Sequence, residues 1–64
     1  MKYLSWDEVH KNDVVYDTKY KENIQIDSKF YNVYARKMIT ATSDSCFHII
    51  REFDENRYTE KREI

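Results

Sequence analysis

Glycine is absent from this chain, and so is proline. Every reversal that needs a positive φ must therefore be made by a residue with a Cβ, and Asn and Asp, which tolerate that region best, are expected there. The residues between such turns favour strands. From Phe30 to Phe53 the sequence reads FYNVYARKMITATSDSCFHIIREF, the aromatic and β-branched composition that suits a pleated, half-buried surface. With a period of two, Tyr31, Val33 and Ala35 fall on one side, and Phe30, Asn32, Tyr34 and Arg36 on the other. Further on, Phe47, Ile49 and Phe53 share a parity interrupted by Arg51. Ser43-Asp44-Ser45 lies between the two runs, and such side chains bond nearby backbone and favour turns. An antiparallel hairpin is the simplest arrangement.

With 64 residues, residues 1–64 form one small domain, which buries only about 60% of the surface its unfolded chain exposes. A single cysteine allows no internal disulfide, and Cys46, His48 and His10 are too few for a structural zinc site. Aromatic side chains must supply the core instead. Six Tyr, three Phe and one Trp cover large areas for little side-chain entropy. Self-association is the other common support for so small a chain, so a homodimer is expected as an option. Eleven basic and twelve acidic residues give a net charge of −1, interleaved throughout. Strong nucleic-acid binders show a basic excess. No segment has the length and hydropathy to span a membrane, and MKYLSWDEV lacks the apolar run of a signal peptide, so a soluble cytoplasmic protein is expected.

In chain order, Ser5 and Glu8 have the spacing of a capping box, with Leu4 and Val9 placed as its hydrophobic staple. The spacing predicts a short helix from Trp6 to about Lys11, ended by a left-handed Asn12, with Trp6 over the core. Asp13-Val14-Val15-Tyr16 begins a strand, Thr18–Asn23 a polar turn, and Ile24-Gln25-Ile26 a short alternation leading into the central stretch. Arg36-Lys37 is either a two-residue hairpin loop or part of a bent strand from Ala35 to Ile39. Asp54-Glu55-Asn56 reads as a turn before a charged edge strand from Arg57 to Glu63. The phrase Lys11-Asn12-Asp13-Val14-Val15 is similar to the Gly-Asp-x-Val entry of SH3-like barrels, with Asn12 in place of the glycine. The expected fold is mostly β: a small antiparallel SH3-like barrel or curved sheet with a short N-terminal helix. The alternative is an α+β fold in which Cys46 to Glu63 is one helix, because Cys46, Ile50, Phe53 and Arg57 also share a helical face.

No residue set points to catalysis, a cofactor or a metal. Cys46-x-His48 could pair on one strand face, but it lacks the further ligands of a zinc site and the orienting group of a nucleophilic pair. His10 is placed to pair with Asp7 on the helix, and Glu52, Asp54 and Glu55 read as a solvated turn. The chain carries more Tyr than a thin core can hide, and Tyr, Trp, Phe, Met and Arg are enriched where proteins meet. A non-enzymatic protein-binding module is therefore expected, with Tyr31, Tyr34, Arg36, Lys37, Arg51, Arg57 and Tyr58 as its contacts. Plentiful Lys, Asn, Ile, Tyr and Asp match an A/T-rich gene, which suggests a phage or mobile-element inhibitor of a bacterial host protein, such as a defence factor. The alternative class is single-stranded nucleic-acid binding, in which Tyr34 stacks on a base while Lys29, Arg36 and Lys37 follow the phosphates.

Overall fold

The computed structural model describes residues 2–63. A 3-10 turn, η1 (Trp6–Glu8), precedes five strands: β1 (Val14–Asp17), β2 (Glu22–Tyr31), β3 (Lys37–Ser43), β4 (Ile49–Glu52) and β5 (Tyr58–Glu60). They form one antiparallel sheet in the order β4-β3-β2-β1-β5. The last strand thus returns beside the first, as in a small barrel-like, curved sheet. The mostly β architecture expected from the sequence is what the chain forms. Cys46 to Glu63 holds two strands and no helix, which removes the α+β alternative.

The N-terminal helix is shorter than expected. Ser5 N–H donates to Glu8 Oε1 at 2.9 Å and the capping box forms, but Val9 is already extended, with φ −98° and ψ 126°. Burial explains the early stop, since Val9 belongs to the core and Leu4 and Trp6 pack against it. His10 consequently lies beyond the turn, where its N–H donates to Asp13 Oδ2. Glu8 accepts first from the Ser5 backbone and then from Lys2, and these bonds hold its carboxyl down at about 2.

Turn chemistry departs from expectation in an informative way. Among the described residues four have positive φ: Asn12 at 74°, Lys21 at 57°, Ala35 at 59° and His48 at 58°. Only Asn12 is a type that tolerates the region well. It stands where the SH3-like phrase has glycine, and its N–H donates to Ile26 O at 2.7 Å. The β2–β3 reversal spans Asn32 to Arg36, so neither an Arg36-Lys37 loop nor a bent strand through Ala35 occurs.

Strand parity builds the core. Ile24 and Ile26 face inward from β2, Ile39 and Ala41 from β3, and all four are fully or almost fully buried. A bulge falls between Ile26 and Ser28 in the β2–β3 register. An extra residue on one strand switches the inward set, so Lys29 and Tyr31 face the same side as Ile26. Asp27, at the bulge, accepts from Thr42 Oγ1 at 2.9 Å. An aromatic series then closes one end. Tyr58 stacks on Phe53 at 5.0 Å, Phe53 meets the Trp6 ring edge-on at 5.4 Å, and Trp6 meets Tyr31 at 5.6 Å.

Asp17 shares the inward parity of Val15 on β1 and is 0% exposed. Arg57 Nε and Nη2 donate to its two carboxylate oxygens at 2.9 and 2.8 Å. Arg51 Nη1 adds a bond of 2.7 Å to Asp17 Oδ2, while Arg51 Nη2 reaches Glu22 at 2.8 Å. The Lys19 N–H donates to Asp17 Oδ1, and Tyr20 lays its ring 3.9 Å from the Arg51 guanidinium. Burial by itself would push the Asp17 carboxyl up, but Arg57, Lys19 and Arg51 together outweigh it and hold it below its usual value. No buried side-chain nitrogen or oxygen among the described residues lacks a partner.

Removing one member of such a group leaves a buried charge unmatched, at a cost of about 3–5 kcal/mol. Asp17→Asn should lower stability to urea by that order. A carboxyl held below its ordinary value stabilises the fold fully above that value and loses the contribution as pH falls through the folded one. Wild-type stability should therefore be flat near neutrality and decline below about pH 4, with a shallower decline in Asp17→Asn. At the β1–β2 turn, Lys21→Gly should raise stability by up to about 1 kcal/mol, the left-handed penalty of a Cβ less the added chain entropy of glycine.

Candidate functional site

The surface most unlike the rest of the molecule is the β2–β3 hairpin end. Asn32 organises it. Its Oδ1 accepts from the N–H groups of Tyr34 and Arg36 at 2.9 and 3.0 Å. Its backbone N–H donates to Arg36 O at 3.0 Å, and its C=O accepts from Ala35 N–H at 2.9 Å. A short polar side chain bonding its own following backbone is an Asx-type turn. The backbone of the tip is thus fixed while its large side chains are not covered: Val33 is 93% exposed and Tyr34 80%.

Charge is segregated to the same place. From Lys29 to Lys37 there are three basic residues and no acid, whereas the rest of the chain holds eight basic and twelve acidic residues. Lys29 Nζ donates to Trp6 O at 2.7 Å and sits 4.6 Å from the Trp6 ring. Lys37 lies 5.9 Å from that ring. Arg36 Nη1 bridges to Glu52 at 3.2 Å. Both of these side chains are well exposed, so the pair contributes about 0–1 kcal/mol.

Four of the seven contacts expected from the sequence gather here. Tyr34 and Arg36 are on the tip, while Tyr31 and Lys37 flank it beside Trp6. The other three do not join them. Arg51 faces inward to Asp17 and Glu22, and Arg57 and Tyr58, expected on an exposed edge, are only 7% and 0% exposed. The reason is the buried carboxylate, which draws both guanidinium groups inside. Tyr58 follows because its hydroxyl can donate to Glu52 O at 3.1 Å while its ring stacks on Phe53. Val33 was missed, because the alternation carried a strand through it. Asn32, the best turn residue of the stretch, was the available signal.

Cys46 is exposed in the β3–β4 loop, and His48 lies just before β4 with positive φ. Among the described residues no three His, Cys, Asp or Glu side chains converge as metal ligands. Asp54 bonds Arg57 Nη1 at 3.3 Å. No described helix is long and apolar enough to cross a membrane. Comparison with known proteins finds no matching family model, no matching curated protein and no matching solved structure.

Burial pushes the Tyr58 hydroxyl well above its ordinary value of 10.0, despite the neighbouring Arg57 charge. A raised acid keeps its stabilising effect below the unfolded value and loses it as pH climbs beyond. Stability should consequently fall above about pH 10. Tyr58→Phe should flatten that alkaline decline, as measured by urea midpoints across the pH range.

Proposed function

We propose that this chain is a non-enzymatic protein-binding module and that the β2–β3 hairpin tip is its contact surface. The observation carrying the proposal is the pairing of a fixed backbone with bare side chains at Val33 and Tyr34. Ordering a loop on binding costs free energy, and a tip already held by Asn32 avoids much of that cost. Val33 would enter an apolar pocket, Tyr34 would cover its edge with the hydroxyl toward water, and Arg36 and Lys37 would meet acidic groups on the rim. The local excess of positive charge, in a chain that is acidic elsewhere, favours a partner with carboxylates around that pocket.

A protein fits this surface better than a single-stranded nucleic acid. Stacking on bases would suit Tyr34, but a β-branched Val33 offers no stacking face, and phosphate binding needs cations free to follow a backbone. Here Arg51 and Arg57 pair with Asp17, and Arg62 lies 4.2 Å from the Tyr16 ring. In its concrete form the proposal is an inhibitor from a phage or mobile element, acting in the cytoplasm of a bacterial host on one of its proteins. Composition alone supports that part.

Immobilised wild-type protein and a Val33→Ser, Tyr34→Ser variant should be compared for capture from a low-GC bacterial lysate. Both positions are exposed, so the variant keeps the fold. Proteins retained by wild type should drop at least about tenfold with the variant, the loss expected for removing an interface anchor. Equal capture by both, or a salt-sensitive shift of single-stranded oligonucleotides by wild type, would count against the reading.

A further inference from the structure

The two edges of the sheet are treated differently. At β5 the Leu4 N–H donates to Tyr58 O at 2.7 Å, so the N-terminal segment covers part of that edge, and Glu60, Lys61 and Arg62 follow. Charge and cover are the usual protections of an edge strand. At β4 the outward side chains are Ile50 and Glu52, Ile50 is 63% exposed, and no described segment lies beyond the strand in the sheet.

Hydrogen-bond parity shows which backbone groups that edge offers. The Phe53 N–H donates to Lys37 O at 2.9 Å, so 53 and 37 are a hydrogen-bonded pair. In the β3–β4 register Arg51 opposes Ile39 and Ile49 opposes Ala41. Hydrogen-bonded and non-hydrogen-bonded pairs alternate along an antiparallel ladder. Residues 49, 51 and 53 therefore spend their backbone groups on β3, and Ile50 and Glu52 point theirs away from it. The Glu52 C=O already accepts from the Tyr58 hydroxyl. Ile50 is left with both its N–H and its C=O directed outward.

We propose that a second copy of this chain docks on β4, the two strands running antiparallel about a two-fold axis at Ile50. A two-fold contact places the same patch on both sides, so the patch must complement itself. Ile50 does so, because one N–H and one C=O on each copy exchange in a closed pair. Its exposed side chain meets its own counterpart on the same face. The contact is centred on Ile50 alone, because His48 leaves the strand with φ 58° and Glu52 already bridges to Arg36. Val33 and Tyr34 take no part in this pairing, so the proposal stands independently of the partner-binding reading above. Joined in this way, two copies make one continuous sheet that carries two tips.

Sedimentation equilibrium over a wide concentration range tests the proposal, with Ile50→Lys and Val33→Ser, Tyr34→Ser as paired variants and circular dichroism confirming that each is folded. Wild type should approach twice the 7.9 kDa of one chain as concentration rises. Ile50→Lys should remain at the single-chain mass, and the tip variant should associate as wild type does. A wild type that stays at the single-chain mass at its highest soluble concentration would overturn the proposal. So would an Ile50→Lys protein that still associates, or association lost only in the tip variant.

Discussion

A fully buried carboxylate at Asp17 has to be matched, and the arrangement of the sheet follows from how that is done. β1 supplies the charge, β4 supplies Arg51 and the entry to β5 supplies Arg57. The two guanidinium groups come from strands at opposite ends of the sheet order. One side chain on β1 therefore ties β4, three strands away, to β1 and to the entry of its neighbour β5, and the sheet curves. The same carboxylate caps the β1–β2 turn through the Lys19 N–H. Aromatic packing fills the other end of the interior through Tyr58, Phe53, Trp6 and Tyr31. A thin core thus receives directional ties where a larger protein would have more apolar volume.

This division of labour bears on function. Arg51 and Arg57 are spent inside, whereas Lys29, Arg36 and Lys37 stay grouped around one hairpin. Lys29 and Lys37 lean over Trp6, which couples that hairpin to the aromatic end of the core. The tip is held in place on both sides, by Asn32 within the loop and by the Trp6 cluster beneath it. Exposed Val33 and Tyr34 are then presented on a fixed support, which is what the binding proposal requires.

Much of the architecture is legible in the residues. The strand-rich composition, the Ser43–Ser45 reversal and the capping box all act locally, and each forms. The polar turn begins at Thr18 as expected but ends at Lys21, because Glu22 and Asn23 pair with β1. What escapes reading depends on tertiary context. The bulge at Asp27 switches the inward face of β2, so alternation counted through Ser28 assigns the wrong side. Left-handed φ at Lys21, Ala35 and His48 carries no local mark, because those residues are ordinary elsewhere. Arg51 interrupting an apolar parity is a visible anomaly, and so is Asp17 on the face of Val15. Taken separately each looks like a surface residue. Taken together they are a buried ion pair, and only the topology brings them together. The same point explains the candidate site, where the local contacts from Tyr31 to Lys37 fall together while Arg51, Arg57 and Tyr58 go inside.

The central claim is that the carboxylate of Asp17 and the guanidinium of Arg57 act as one unit that holds the sheet closed. A double-mutant cycle of Asp17→Asn and Arg57→Gln, read by urea unfolding at neutral pH, measures that coupling directly. The account predicts a coupling of about 1–3 kcal/mol, so that the double variant is much less destabilised than the two single effects added together. Additivity of the two substitutions, with each costing less than about 0.5 kcal/mol, would contradict it.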